Sequence, residues 1–206
     1  MASPYRILLV VFAISAINTW VDGKEVGIRT TSENFQRISY TATNLTTHVS
    51  NVNGQRIVDC SATGIWQAPG YGELNLAISC YYNCSRVRGL DISMLSLTHP
   101  YVDWLVVSLH KDDRQIVVKN GTRNANCHHV YDKVYIEDVA EAGFLDKLCH
   151  HSAVTISSPP SYLSREPLSY GFQGVQGCGE WILNVTNFSS HNGMVTGIGL
   201  RYVTES

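Results

Sequence analysis

Two Cys-His-His triplets are the most unusual chemical feature of this chain: Cys127-His128-His129 and Cys149-His150-His151. Cysteine thiolates and histidine imidazoles are ligands of zinc and copper, so the triplets predict a candidate transition-metal site. The candidate ligands are the four histidines His128, His129, His150 and His151. Histidine also titrates at about pH 6.5, so a pH-sensitive cluster is an alternative interpretation of the same residues.

The cysteines of the triplets have a second use, because an oxidising compartment favours disulfides over thiolate ligands. A Cys127–Cys149 bridge would close the intervening loop and hold the neighbouring histidines close together. The number of cysteines is even, as complete pairing requires. They are Cys60, Cys80, Cys84, Cys127, Cys149 and Cys178. We favour the Cys127–Cys149 bridge over the metal site, and the pairing of the other four stays open.

Acidic side chains on predicted loops form a second candidate metal site. Its candidate ligands are Asp103, Glu137 and Asp138. Carboxylates and backbone carbonyls are hard oxygen ligands of the kind that calcium prefers. Acidic loop residues are also commonly solvated without any ion, so calcium is one of two interpretations. No other cofactor is predicted.

The first residues predict export. Arg6 precedes an apolar run from Ile7 to Ile17. This run is shorter than the roughly 20 residues that a membrane-spanning helix needs, and it suits the core of a signal peptide. We place the signal peptide at residues 1–23, favouring cleavage after Gly23 over cleavage after Ala16. No second apolar run follows, so no membrane span is predicted.

Asn-x-Ser/Thr sequons agree with a secreted, extracellular glycoprotein. They lie at Asn44, Asn83, Asn120, Asn184 and Asn187. Asn184 alternates with Leu183 and Val185, which places its side chain on the exposed face of a strand, where a glycan could sit.

Charge and composition narrow the classes of partner and fold. The 206 residues carry 15 lysines and arginines against 17 acidic residues, with no basic run, so nucleic acid is a poor candidate partner. Helix signals are weak throughout, and the composition is that of an all-β protein. Aromatic residues near loops could stack on sugars or simply pack as lids. They are Trp66, Tyr71, Tyr81 and Tyr82.

Short strands separated by turns must position these groups. Asn53-Gly54 is the clearest turn, and a strand is predicted directly after it at residues 56–60. Further strands are predicted at residues 74–79, 90–97, 104–110 and 116–119, and residues 122–165 form a loop-rich middle. Regular short strands of this kind indicate a β-sandwich rather than a βαβ sheet.

The last part of the chain predicts two strands that close the sandwich. One apolar face recurs at Trp181, Leu183 and Val185, and a second recurs at Ile198, Leu200 and Tyr202. Period-two alternation marks strands that bury one side. Asn192-Gly193 lies between the two strands and predicts a tight reversal with positive φ angles.

Ordered segments of the second half resemble the P domain, also called Homo B, of proprotein convertases. Segment 91–109 is similar to that family's first strands with their Thr-His-x-Tyr turn, and segment 134–140 to its Thr-Phe-Asp-Asp-x-Ala segment. The closing segments 166–185 and 193–202 are the most similar. The resemblance covers roughly residues 74–204. It differs at Asp103-Trp104-Leu105, where the family has Gly-Asp-Leu.

The resemblance implies an antiparallel jelly-roll β-sandwich, similar to galactose-binding domains, at residues 72–206. Residues 24–71 would then be an appended region of strands and loops. It also implies calcium near the segments that hold Asp103 and the Glu137-Asp138 pair. P domains normally follow a subtilisin-like catalytic domain, but no Gly-x-Ser nucleophile setting precedes residue 74. We therefore predict no catalytic residue and no enzymatic activity.

Three functions follow as expectations. The first is a secreted, glycosylated binding module that presents loops to an extracellular protein or glycan. The second is an accessory or regulatory partner of a subtilisin-like serine endopeptidase, because P domains stabilise such enzymes. The third is a metal-binding protein that uses the Cys-His-His triplets.

Overall fold

The computed structural model describes residues 18–21, 24–30, 35–81, 84–123 and 127–204. These residues form an all-β sandwich, which confirms the predicted fold class. The strands are β1 Asn18–Val21, β2 Lys24–Thr30, β3 Gln36–Thr41, β4 Leu45–Val52, β5 Gln55–Ala68, β6 Gly72–Cys80, β7 Val87–Thr98, β8 Leu105–Lys111, β9 Arg114–Lys119, β10 Val130–Glu137, β11 Thr155–Ile156, β12 Tyr162–Leu163, β13 Gly179–Asn187 and β14 Gly193–Thr204. The helical pieces are short: α1 Leu168–Phe172 and the 3-10 turns Val102–Trp104 and Leu145–Lys147.

The described strands form two sheets. The first has the order β1-β2-β3-β6-β13-β8-β9, and the second has the order β11-β10-β7-β14-β5-β4, with β12 also paired to β10. Most neighbours are antiparallel, as predicted. The exceptions are β3 with β6 and β10 with both β11 and β12, which are parallel. The jelly-roll connectivity and the similarity to galactose-binding domains stay predictions.

The interior lies between the two sheets and is filled by alternate residues of their strands. Trp181, Leu183 and Val185 of β13 are fully buried, as the alternation predicts. Ile198, Leu200 and Tyr202 of β14 are also fully buried, from the other sheet. Burial of one such side chain contributes about 2 kcal/mol to the free energy of unfolding. This shared interior is what fixes the loops at the sandwich ends.

Disulfides tie the fold together at three places, Cys60–Cys80, Cys84–Cys178 and Cys127–Cys149. Cys60 lies on β5 and Cys80 on β6, so their buried bridge joins the two sheets directly. The Cys127–Cys149 bridge confirms the prediction made from the Cys-His-His triplets.

The turn between β4 and β5 is the one that the sequence predicts. Asn53 and Gly54 have φ values of 52° and 77°, which is the pair of positive angles that a two-residue type I′ turn requires. The following strand β5 is longer than the predicted 56–60, because it pairs with β4 on one side and along most of its length with β14 on the other.

The predicted tight reversal at Asn192-Gly193 is wrong. β13 lies between β6 and β8, whereas β14 lies between β7 and β5 in the opposite sheet. Residues 188–192 are therefore an arch that crosses from one sheet to the other, and neither Asn192 nor Gly193 has a positive φ. A two-residue hairpin turn joins strands about 5 Å apart, whereas facing sheets are about 10 Å apart.

Residues on both sides of the predicted domain boundary at residue 72 contribute to the same interior. Val58 and Trp66 of β5 are buried together with Leu74 and Leu76 of β6 in one hydrophobic cluster. β3, β4 and β5 also belong to the two sheets that contain the later strands. The division into residues 24–71 and 72–206 stays a prediction, but the strands on the two sides share one core.

Candidate functional site

A cleft of about 420 Å³ opens at the end of the sandwich where β7 ends and β14 begins. We call it the histidine–tyrosine cleft. Its lining residues are Thr98, His99, Pro100, Tyr101, His128, Val130, Ala153, Asn192 and Gly193. They come from four segments of the chain: the turn after β7, the loop closed by the Cys127–Cys149 disulfide, the segment just before β11, and the arch between the sheets with the first residue of β14.

His99 holds the turn after β7 against the arch. Its Nδ1 accepts a hydrogen bond of 2.9 Å from the Tyr101 backbone N–H. The proton of the neutral ring is therefore on Nε2, which donates to the His191 carbonyl at 3.0 Å. Burial lowers the pKa of His99 below its usual value, which favours this neutral form. The ring thus acts as a fixed connector between two loops.

The arch is held by Asn187, the last residue of β13. Asn187 donates from Nδ2 to the His191 carbonyl at 2.7 Å and accepts from the Ser189 backbone N–H at 2.9 Å. The arch also contacts the turn before β6, because Gly70 N–H donates to Asn192 Oδ1 at 2.8 Å. A Cβ atom on Gly70 would lie 2.4 Å from the Ser190 carbonyl oxygen, so only glycine permits this approach. The arch therefore presents His191 and Asn192 in one arrangement.

Tyr101 is the aromatic centre of the cleft. Its ring centroid lies 5.2 Å from that of His128 and 5.0 Å from that of His191. His128 Nδ1 donates to the Pro100 carbonyl at 3.0 Å, which fixes the imidazole beside the tyrosine. Tyr101 is only partly buried. The cleft thus combines an accessible aromatic ring with polar side chains on both of its sides.

The disulfide places the two Cys-His-His triplets next to each other, and the ring centroids of His129 and His150 lie 5.8 Å apart. The His128 backbone N–H donates to the His150 carbonyl at 2.8 Å, so the two chain segments are in direct contact. His129 is fully buried, with Nε2 3.1 Å from the Tyr131 hydroxyl, whereas His128 borders the cleft. Burial, together with the nearby positive charges of Lys119 and His150, lowers the pKa of His129 to about 4.

The described imidazoles do not form a ready ligand set for a transition metal. In the part of the chain that the structure describes, one group of three ligand atoms lies within 4.8 Å of one another: Asp103, Cys127 and Cys149. Both of its cysteines are in a disulfide and carry no thiolate. In the described residues, no three of His128, His129, His150 and His151 bring ligand atoms within 4.8 Å of one another.

The acidic residues predicted to hold calcium do not fit that ion either. Asp103 is buried, and its Oδ1 lies 4.0 Å from Lys119 Nζ, so an ammonium group already provides the positive charge. Asp138 accepts hydrogen bonds of 2.7 Å and 2.8 Å from the N–H groups of Leu168 and Ser169 at the start of α1. In the described residues, Asp103 does not share a group of close ligand atoms with Glu137 or Asp138.

The sequons differ in accessibility. Asn44 and Asn120 are exposed, and Asn83 lies outside the described residues. Asn184 is 6% exposed and donates to Asn75 Oδ1 at 2.9 Å, so the expectation that it is open to solvent is wrong. Its side chain leaves the interior, but polar neighbours on β6 cover it. Asn187 is fully buried at the end of β13, where the arch begins.

Sequence reasoning missed the residues that form the cleft. His99 and Tyr101 belong to the Thr-His-x-Tyr turn of the resemblance, yet they were not candidate site residues. Among the aromatic candidates, Trp66 is buried in the core, whereas Tyr71 and Tyr81 are exposed. Tyr82 is not among the described residues. The one signal of this turn in the sequence was the proline between His99 and Tyr101.

Comparisons with known proteins leave the chain without an assigned family. No family model, curated protein or solved structure matches it. The resemblance to the P domain thus depends on the ordered segments of the sequence and stays a prediction. Within the described ranges, no helix is both long enough and apolar enough to cross a membrane.

Proposed function

We propose that this protein is an exported, non-catalytic binding module whose ligand face is the histidine–tyrosine cleft. We further propose that its ligand is an extracellular glycan. The observation that carries the proposal is the partly exposed Tyr101 ring, which contacts the rings of both His128 and His191. An accessible aromatic ring with a few fixed polar groups is the usual composition of a small-molecule binding site.

The polar groups of the cleft match the chemistry of sugar hydroxyls. His128 uses Nδ1 in its bond to Pro100, which leaves Nε2 for a ligand hydroxyl. Asn192 uses Oδ1 in its bond from Gly70, and in the described contacts its Nδ2 donors are not used. The Tyr101 ring supplies an apolar surface on which the C–H face of a sugar could stack.

The cleft is also preorganised, which reduces the entropy lost on binding. The His99 hydrogen bonds fix the turn after β7, and the Asn187 side chain fixes the arch. The Cys127–Cys149 disulfide fixes the loop that carries His128. Loops that a rigid sandwich holds in this way are the usual location of binding residues. Export is supported by three disulfides, which persist in oxidising compartments.

A glycan array probed with the purified protein tests the proposal. We expect binding to a defined set of glycans, and a loss of about tenfold or more in affinity for Tyr101→Ala, because a central aromatic contact commonly contributes at least 1.4 kcal/mol. Tyr170→Ala is the matched control, since Tyr170 is 81% exposed on α1 and lies outside the cleft. Its glycan binding should equal that of the wild-type protein.

The alternative from the resemblance is an accessory partner of a subtilisin-like serine endopeptidase. A direct binding measurement with such a protease, using the same three proteins, separates the two functions. An empty glycan array together with protease binding that Tyr101→Ala leaves unchanged would overturn the glycan proposal and support the alternative.

A further inference from the structure

A buried lysine and a buried aspartate face each other beside the Cys127–Cys149 disulfide. Lys119 is the last residue of β9 and is fully buried, and Asp103 is 2% exposed in the 3-10 turn before β8. Lys119 Nζ lies 4.0 Å from Asp103 Oδ1. β8 and β9 are neighbouring antiparallel strands, so the two residues are held across one hairpin. Lysine and aspartate are rarely buried to this extent.

The lysine ammonium has an unfavourable environment. Its Nζ donates to the carbonyls of Leu105 at 3.2 Å and Asn120 at 3.3 Å, and its contact with Asp103 is longer than a hydrogen bond. Burial lowers the pKa of Lys119 to about 8, even though Asp103 and Asp146 favour the charged form. The neutral amine is therefore easier to form at pH 7 than on an exposed lysine, and a neutral buried amine is a nucleophile.

The carboxyl group of Asp103 is held in place for attack. The Thr122 hydroxyl donates to its Oδ2, while its Oδ1 has no hydrogen-bond partner in the described residues. The loop that carries Thr122 can approach Asp103 because residue 121 is glycine. A Cβ atom at this position would lie 2.9 Å from the Asp103 carbonyl oxygen, which is too close. Oδ2 is also 2.9 Å from Cys127 Sγ, which has no hydrogen to donate because it is in a disulfide.

A second buried acid, Asp146, is an electrostatic neighbour of Lys119. Asp146 is 8% exposed, and its Oδ1 also has no hydrogen-bond partner in the described part of the chain. Its negative charge acts on Lys119 and on Tyr131, as does that of Asp103, so the two acids, the lysine and the tyrosine hydroxyl are electrostatic neighbours. Arg165, which lies 3.6 Å from Asp146 Oδ2, is half exposed.

We propose that Lys119 and Asp103 join through an intramolecular isopeptide bond. Lys119 Nζ attacks Asp103 Cγ, a C–N bond forms, and one C–O bond of the carboxyl group breaks. Two protons of the ammonium leave with that oxygen as water, so an ammonium and a carboxylate become a neutral amide and one water molecule. No oxidant, reductant or cofactor is required.

The folded environment favours this product for a physical reason. An isolated ion pair that is buried with imperfect geometry loses more hydration energy than its attraction returns. The amide carries no net charge, and its formation releases a water molecule from the interior. Fixed proximity also replaces an encounter in solution, which is the effect that accelerates intramolecular reactions. The bond would connect the turn before β8 to the end of β9, directly behind the Cys127–Cys149 disulfide.

Intact-mass measurement of the purified full-length chain, deglycosylated and reduced, tests the proposal. We expect a mass lower by one water molecule than the mass calculated from the sequence that remains after removal of the signal peptide. Tryptic digestion should then yield a branched peptide in which segment 89–111 is joined to segment 115–123, because trypsin cannot cleave after an acylated Lys119. This branched peptide distinguishes the proposed bond from water loss elsewhere in the chain.

Lys119→Met removes the nucleophile and keeps an unbranched, apolar side chain, so its mass should equal the calculated value. Lys111→Met is the matched control. Lys111 is also buried and lies 3.8 Å from Asp112 Oδ1, but Asp112 is an exposed residue. The Lys111 variant should keep the water loss. A wild-type protein of the full calculated mass, with separate 89–111 and 115–119 peptides, overturns the proposal whether or not the variants fold.

Discussion

Asn187→Ala should destabilise the protein strongly, because one buried side chain organises the arch between the sheets. Asn187 Nδ2 donates to the His191 carbonyl at 2.7 Å. Its Oδ1 accepts from both the backbone N–H and the hydroxyl of Ser189, each at 2.9 Å. Alanine removes all three hydrogen bonds and fills less of the fully buried position. The fold of the remaining strands does not supply replacements.

The magnitude follows from which groups keep a partner. The His191 carbonyl still accepts from His99 Nε2 and from the Ser189 hydroxyl, so it stays satisfied. The buried Ser189 backbone N–H loses its acceptor, Asn187 Oδ1. A buried polar group without a hydrogen-bond partner costs about 1–3 kcal/mol. With about 1 kcal/mol for the other bonds, we expect a loss of about 3 kcal/mol in the free energy of unfolding.

Urea unfolding followed by tryptophan fluorescence measures this loss, because Trp66 and Trp181 are buried in the core. With a slope of about 2 kcal/mol per M, the midpoint should fall by about 1.5 M. Asn51→Ala is the control: Asn51 is exposed on β4, and its midpoint should match the wild-type value. An Asn187 variant that also matches the wild-type midpoint would refute the reasoning. A glycan on Asn187 of the folded protein would refute it too.

Two further predictions concern pH and a disulfide. Folding lowers the pKa of His129 from 6.5 to about 4, so the unfolded chain binds a proton between these values and the folded chain does not. His129 therefore stabilises the fold above pH 6.5, and this contribution falls as the pH drops towards 4. His129→Gln should reduce the difference between urea midpoints at pH 7 and pH 5, whereas the exposed His48→Gln should not. Replacing Cys84 and Cys178 by alanine should lower the free energy of unfolding by about 4–5 kcal/mol, against about 3 kcal/mol for replacing Cys127 and Cys149. The Cys84–Cys178 bridge contributes more because it closes the longer loop, with a sequence separation of 94 residues against 22. Thermal unfolding of both double variants under non-reducing conditions should show this order, and the reverse order would contradict the chain-entropy argument.

The strands and their buried faces could be predicted because they depend on local periodicity. Side chains alternate across any β-strand, so the apolar positions of β13 and β14 identify their inner faces without knowledge of their neighbours. The Asn53-Gly54 turn was predictable for a related reason, since its φ angles depend on two adjacent residues. The Cys127–Cys149 pairing followed from the oxidising compartment that the signal peptide predicts.

The arch was not predictable, because alternation does not say which sheet a strand joins. β13 and β14 have the pattern of a hairpin, and Asn192-Gly193 has the composition of its turn. Their true neighbours, β6 and β8 for one and β7 and β5 for the other, were selected by packing over the whole sandwich. Local turn preference was overridden because burying both apolar faces between two sheets contributes more than one turn does.

The sequence by itself determined the fold class, the inward faces and one disulfide, because each depends on residue type or on neighbours along the chain. Only the tertiary structure decided what the chemical groups contact. It brought Tyr101 into contact with the rings of His128 and His191, and it buried Lys119 opposite Asp103. These contacts join segments that are far apart in sequence, and burial and charge at such contacts are set by which strands become neighbours.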